Sequence, residues 1–319
     1  MGLFSSLFSS SKPAESNEQQ PDMKQFDLLK YDGIRALGIG KHAYALKCFT
    51  EALKIRKDTE TMKYLLTACN SLDMHEKALE TLNELVASGE EQANFLLTRA
   101  HFFFTMGQYA EAVVDCERVI ELEPGSYPAY FQLAKSEHAL GEHAKAIGHL
   151  DMATGVKADF AEGYALRADI YLSMEKAEDA LKDIEKVIEL SPEDETAYLL
   201  RGRIHEQLGH PAAALDDYQK ALELNPFNED SYLLAGHILT DQGKHEETLA
   251  LFDEAIEQIE GSAKIYAARA LAKRQTGDEK GAIADEEKAA SLAPDEDNEA
   301  DAPENPNFDE LLYKGGIFG

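Results

Sequence analysis

Basic residues are scarce in this sequence: 31 Lys and Arg stand against 60 Asp and Glu, a formal net charge of -29. Such a chain repels phosphate backbones, which speaks against nucleic acid as a partner and for basic or neutral protein surfaces. Cysteine is scarce as well. Cys48, Cys69 and Cys116 form an odd set at wide spacing with no CxxC pair, which argues against a disulfide framework and against a zinc site. They read as small buried hydrophobes in a reducing compartment. No run approaches the roughly 18 consecutive apolar residues of a membrane span. The opening MGLFSSLF has neither a basic n-region nor a long apolar core, so the expected location is cytoplasmic. Catalytic signatures are missing too: the sequence holds no HExxH, Walker loop, GxSxG or glycine-rich dinucleotide fingerprint. Carboxylates are plentiful but read as solvated helix faces. The chain therefore reads as a non-enzyme, without catalytic residue, metal or cofactor.

What is present is a repeat. Pro124, Pro192, Pro226 and Pro294 are separated by 68, 34 and 68 residues, all multiples of 34. Windows of 34 residues on that frame cover 93–126, 127–160, 161–194, 195–228, 229–262 and 263–296, extend back to 59–92, and admit a unit one residue shorter at 26–58. The same residue types recur at the same places. The fourth is large: Leu29, Met62, Leu96, Tyr130, Tyr164, Tyr198, Tyr232, Tyr266. The eighth is small everywhere except at Leu66, and the twentieth is alanine everywhere except at Thr248. Six windows carry a turn glycine between them: Gly40, Gly107, Gly141, Gly209, Gly243 and Gly277.

This pattern predicts an all-α chain in which each unit is a helix, a glycine turn and a second helix. Small residues at the eighth and twentieth places let the two helices approach, and larger apolar residues fill the gap to the next unit. Proline near the end of a unit stops the second helix. The chain resembles the tetratricopeptide repeat family, whose helix–turn–helix signature this is, over residues 26–296. The resemblance implies a right-handed superhelical α-solenoid of about eight tandem repeats, flanked by tails at 1–25 and 297–319.

Two kinds of charged position separate at this level. Arg99, Arg167, Arg201 and Arg269 stand seventh in units that also carry Asp115, Asp183, Asp217 and Asp285 at the twenty-third place; the other four units have neither residue. Residues that come and go together are expected to face each other as partly buried ion pairs inside one unit. In the last unit Lys273 and Glu286 take places that are usually apolar, and they are expected to face water as a cap. His42, His75, His143 and His245 share the seventeenth place, at the start of the second helix, and read as structural. His138 with His143 and His205 with His210 are five apart, which does not align two metal ligands on one helical face.

The resemblance further implies a concave surface lined by the first helices, at places 2, 5, 6, 9, 12 and 13, that holds a peptide or protein. Among the residues at those places, Tyr64, His101, Phe104, Phe131, Lys135, His138, Arg203 and His237 are the candidate contacts, and Lys30, Gln132 and Glu206 fall at such places too. The carboxylate clamp of chaperone-binding relatives is absent. Lys30 is followed by Ile34 where the clamp has Asn, and Lys63 by Thr67. The function this implies is an interaction scaffold or adaptor that binds a peptide or protein ligand. The tails offer alternatives. Leu3, Phe4, Leu7 and Phe8 form an apolar stripe suited to a peripheral membrane or partner contact. Residues 295–310 carry eight acidic and no basic residues. From the end of that stretch onward, Phe308, Leu311, Leu312, Tyr313, Ile317 and Phe318 form an apolar motif that could dock on the chain's own groove and hold it in check.

Overall fold

The computed structural model describes residues 19–89 and 92–292. Among these residues there are sixteen α-helices and no strand. Contacts divide the chain into two compact units that meet in sequence between Glu142 and His143, a boundary inside the 127–160 window of the repeat frame. The first unit holds α1 (Gln19–Gly38), α2 (His42–Ile55), α3 (Thr59–Asn70), α4 (His75–Ala87), α5 (Ala93–Thr105), α6 (Tyr109–Leu122) and α7 (Tyr127–Ala139). The second holds α8 (His143–Val156), α9 (Ala161–Ser173), α10 (Ala177–Leu190), α11 (Glu195–Gln207), α12 (Pro211–Leu224), α13 (Glu229–Asp241), α14 (His245–Gln258), α15 (Ala263–Gln275) and α16 (Glu279–Leu292). Each is an all-α solenoid segment in which successive helices pack in chain order.

The turn inside each repeat follows one design. The six turn glycines adopt φ between 70° and 84°, a left-handed conformation open to Gly at no steric cost. The residue after each donates its N–H to the carbonyl five positions back, as in Gln108 to Phe103 at 2.8 Å and His210 to His205 at 2.8 Å. This bond satisfies a carbonyl that the helix end would otherwise leave open. The two repeats without a turn glycine force other residues into the same shape: Asp73 has φ 53° and Glu175 φ 58°. The hydrogen bonds persist there, from Met74 to Cys69 at 3.0 Å and from Lys176 to Tyr171 at 2.9 Å.

Packing explains the small places. Ala45, Ala78, Ala112, Ala146, Ala180, Ala214 and Ala282, all twentieth in their repeats, are completely buried. Thr248, which replaces alanine once, is buried as well and sends its hydroxyl to the Lys244 carbonyl at 3.0 Å. At the eighth place the side chain opposite decides the residue. A Cβ on Gly33, Gly202 or Gly236 would run into the ring of Phe49, Tyr218 or Phe252, each sixteen residues on. Where the eighth residue is alanine, the residue sixteen on is smaller or unbranched: Cys116, Leu150, Ile184, Glu286. Glycine here makes room for an aromatic ring in the core between the helices.

The four Arg–Asp pairs are present, and each is bidentate. Nε and Nη2 reach the two carboxylate oxygens at 2.7 and 2.7 Å for Arg99–Asp115, 2.7 and 2.6 Å for Arg167–Asp183, 2.9 and 2.6 Å for Arg201–Asp217, and 2.8 and 2.7 Å for Arg269–Asp285. Such forks are the strongest protein hydrogen bonds. Three of the arginines do more than close their own repeat. Nη1 of Arg99 reaches Asn83 at 3.0 Å, that of Arg167 reaches Asp151, and that of Arg269 reaches Asp253 at 2.6 Å, all on the second helix of the preceding repeat.

The cap expectation needs correcting. Lys273 and Glu286 do not simply face water. Lys273 Nζ adds a second cation to Asp285 at 2.8 Å, and Glu286 pairs with Arg274 at 2.8 Å. Among the described residues no further repeat packs against this last one, and the face carries these ion pairs. The first repeat is different. Its third residue, Leu28, is 62% exposed, although the third residue of every later repeat is buried.

Candidate functional site

Cys48, Cys69 and Cys116 are free and buried, and burial, with Asp115 alongside, pushes the Cys116 thiol up to about 12. The thiol therefore stays protonated and unreactive. Among the described residues no group of three or more His, Cys, Asp or Glu is placed to hold a metal. The rings of His205 and His210 do approach, with centroids 5.9 Å apart, because the turn brings the end of α11 beside its successor. His205 faces the Asp217 carboxylate at 3.8 Å, and burial holds its pKa below the usual histidine value. No described helix is long and apolar enough to cross a membrane.

The candidate contacts lie on the first helices of the repeats. In the first unit, the structure brings Phe104 of α5 together with Phe131 and Lys135 of α7. The Lys135 ammonium lies 4.5 Å from the Phe104 centroid and 5.9 Å from that of Phe131, a cation held against two ring faces. Burial lowers its pKa from the ordinary lysine value. Phe104 also packs against Tyr109 with centroids 5.3 Å apart, so its ring is fixed from the side of α6. His101 is exposed on α5 and leans on Phe102 at 6.3 Å, and His138 is half-buried on α7. Tyr64 stands apart from this cluster. It stacks on Phe49 at 5.7 Å and packs against the core of the first repeats, so part of its role is structural.

Lys30 leaves the candidate surface altogether. It is buried, 9% exposed, and its ammonium binds Asp58 at 3.0 Å and Glu60 at 2.5 Å. Asp58 caps α3 by accepting from the Thr61 amide at 2.9 Å, so Lys30 fastens α1 to the start of the next repeat. Burial alone would raise the Asp58 pKa, but hydrogen bonds from Thr61 and Lys30 hold it down at about 2.

In the second unit, Arg203 of α11 and His237 of α13 act electrostatically on Glu206. Glu206 is half-buried and accepts a hydrogen bond from the Tyr218 hydroxyl. Burial raises its pKa, against the opposing influence of Tyr218, His237 and Arg203. His237 also faces Asp241 at 3.7 Å. Glu206 corrects the reading that carboxylates lie only on solvated faces. Tyr218 belongs to a second helix, and its hydroxyl reaches the first-helix face only by passing over Gly202. Sequence reasoning missed it; the signal was the pairing of an eighth-place glycine with an aromatic residue sixteen on. The apolar stripe at residues 3–8 and the motif formed by Phe308, Leu311, Leu312, Tyr313, Ile317 and Phe318 lie outside the described residues.

Comparison with known proteins bears on the whole. Models of the tetratricopeptide repeat match residues 103–170 and 166–239. A DnaJ homolog subfamily C member 7 homolog from Schizosaccharomyces pombe is 25% identical over 159 residues, 49% of this chain and 29% of that protein. The chain spans less than a third of the length of the curated relatives it matches. Among solved structures, the C-terminal part of a TPR repeat-containing protein from Cytophaga hutchinsonii superposes with a TM-score of 0.61 at 17% identity, covering 75% of this chain and 97% of that one. That of pilF from Pseudomonas aeruginosa gives 0.54 at 17% identity, with 65% and 94% covered. At such identities the likeness speaks to the fold. The family models, together with the repeated turn, the small-residue places and the helix pairs already seen in the structure, mark residues 103–239 as tetratricopeptide repeats.

Proposed function

We propose that the chain is a non-catalytic scaffold whose first-helix faces hold an extended peptide or protein segment. Tetratricopeptide-repeat proteins generally bind protein partners. One observation carries it. The charges that recur in the repeat frame are used up in closing the repeats, whereas Phe104, Phe131 and Lys135 form a half-buried aromatic and cationic surface that closes no repeat. Rings supply contact area at low entropic cost, and nearby amides and cations supply direction. Arg203 and His237 around Glu206 give the second unit a polar counterpart.

The test is site-specific photo-crosslinking in the native cell. A photoreactive phenylalanine analogue at His101 or His237 is expected to capture the same partner, and the same analogue at Val114 or Lys182, exposed on second helices, is expected to capture none of it. Capture from Val114 and Lys182 alone would place the interface on the opposite surface and sink the reading.

A further inference from the structure

Two hydrogen-bond donors without an acceptor stand one helical turn apart on α7. Gln132 is 7% exposed, and its Nε2 meets no acceptor among the described residues. A buried N–H left unpaired is costly, and native structures rarely keep one without a use. Lys135 follows three residues later, which places the two side chains side by side on the helix. Its ammonium rests between the Phe104 and Phe131 rings, and no described carboxylate offsets its desolvation. In a chain with 60 Asp and Glu this stands out. Lys30, Lys77, Lys186 and Lys273 each hold a carboxylate within 3.0 Å.

The chemistry of the missing partner follows from the donors. A lone carbonyl would satisfy Gln132 and leave the ammonium without a counterion. A carboxylate has two oxygens, one for each donor, and gains a charge-assisted bond in a partly desolvated place. The flanking rings are apolar, so the residue beside the acid should be apolar as well. A terminal carboxylate is the poorer fit, because the lysines and asparagines of a carboxylate clamp are absent from this chain.

We propose that Gln132 and Lys135 receive an aspartate or glutamate side chain of an extended partner peptide, with Phe104 and Phe131 seating its apolar neighbour. The proposal rests on the groove reading above and adds the class of ligand. The site lies within the first unit, on α5 and α7 alone.

The probe is a fluorescein-labelled octapeptide of leucine and serine with a single central aspartate, amidated at its C-terminus, measured by anisotropy against the full chain. Its asparagine counterpart is the control. The aspartate peptide is expected to bind about ten-fold tighter than the asparagine peptide. Lys135→Met should bring the two within about two-fold, Lys135→Arg should keep most of the preference, and Gln132→Leu should weaken the aspartate peptide by about three-fold. Thermal melts establish that each variant is folded. Equal binding of both peptides, or a preference that survives Lys135→Met, overturns the inference and leaves the groove reading standing. An asparagine peptide with a free terminal carboxylate that binds as tightly as the aspartate peptide would move the site's ligand to a chain end and overturn it too. Binding seen only after truncation behind Leu292 would make the chain's own acidic segment the occupant and remove the partner. Absence of all peptide binding overturns it as well, and the crosslinking experiment then decides the groove reading separately.

Discussion

The Arg269 guanidinium lies edge-on to the Asp285 carboxylate, with Nε and Nη2 at 2.8 and 2.7 Å, and its remaining nitrogen reaches Asp253 at 2.6 Å on the repeat before. Hydrogen bonding to Asp285 raises the Arg269 pKa. Burial would raise that of Asp285, but Arg269 and Lys273 hold it below the usual carboxylate range. The Tyr266 ring covers the guanidinium at 5.5 Å. One side chain thus ties two helices of its own repeat and the second helix of its neighbour.

The two ends of this tie should differ in weight. Arg201→Ala or Arg269→Ala strands a buried aspartate and is expected to cost about 3 kcal/mol. Asp253→Asn removes a partner that is 62% exposed, and its loss should cost less than about 1 kcal/mol. Urea denaturation of the single and double variants measures both, and a double-mutant cycle between Arg201 and Asp217 should show coupling. Additive losses at that pair would refute the idea that they act as a unit.

Glu175 offers the reverse effect. Its φ of 58° places a Cβ-bearing residue in a region that costs roughly 1–2 kcal/mol without glycine. Glu175→Gly should therefore stabilise the fold by about 0.5–1 kcal/mol, once the added freedom of the unfolded chain is subtracted. Gly209→Ala, at φ 74° in the next repeat, should destabilise it by about 1 kcal/mol. Melting temperatures that move the same way for both substitutions would contradict the account.

Acid should loosen the first repeat through Asp58. Its pKa is held at about 2 in the folded chain, below the ordinary carboxylate value, so the unfolded state binds the proton more readily. The stability it contributes is fully present above about pH 4 and is lost as pH falls toward 2. Because Asp58 keeps some contact with solvent and shares Lys30 with the exposed Glu60, the amount is about 1 kcal/mol rather than the full linkage value. Lys30→Met should flatten this part of the stability curve measured between pH 5 and 2. An unchanged slope would place the acid sensitivity elsewhere.

The legibility of these features follows from their range. The repeat frame, the turn glycines and the Arg–Asp pairs were readable because each recurs at a fixed offset, and residues that vary together at one offset must meet. Asp73 and Glu175 in glycine's place were visible as exceptions, but only backbone angles show that they adopt glycine's conformation. The bridge from Arg269 to Asp253 crosses a repeat boundary, where polar residues are common and any of several could have been the partner. Lys30 misled because its partners, Asp58 and Glu60, precede and begin the next repeat, outside the comparison of like places. Gln132 looked like one more surface amide until burial and the absence of an acceptor set it apart.

The pairing of Gly202 with Tyr218 gives the sharpest test of how core and face are joined. A Cβ at residue 202 would overlap the Tyr218 ring, and the ring is fully buried, so it cannot swing aside. Gly202→Ala is expected to cost about 1–3 kcal/mol. Repeat 161–194 solves the same space with Ala168 and Ile184, both completely buried. Gly202→Ala combined with Tyr218→Ile should therefore recover most of the loss, which urea denaturation can measure. The rescued core no longer has a hydroxyl to offer Glu206. In the double variant the Glu206 pKa, followed by carboxyl carbon NMR, should rise further, because burial then acts without the opposing hydrogen bond. A double variant that stays as unstable as the single one would show that the glycine serves something other than the ring. A Glu206 titration unmoved by losing Tyr218 would show that core and binding face are not coupled through this tyrosine.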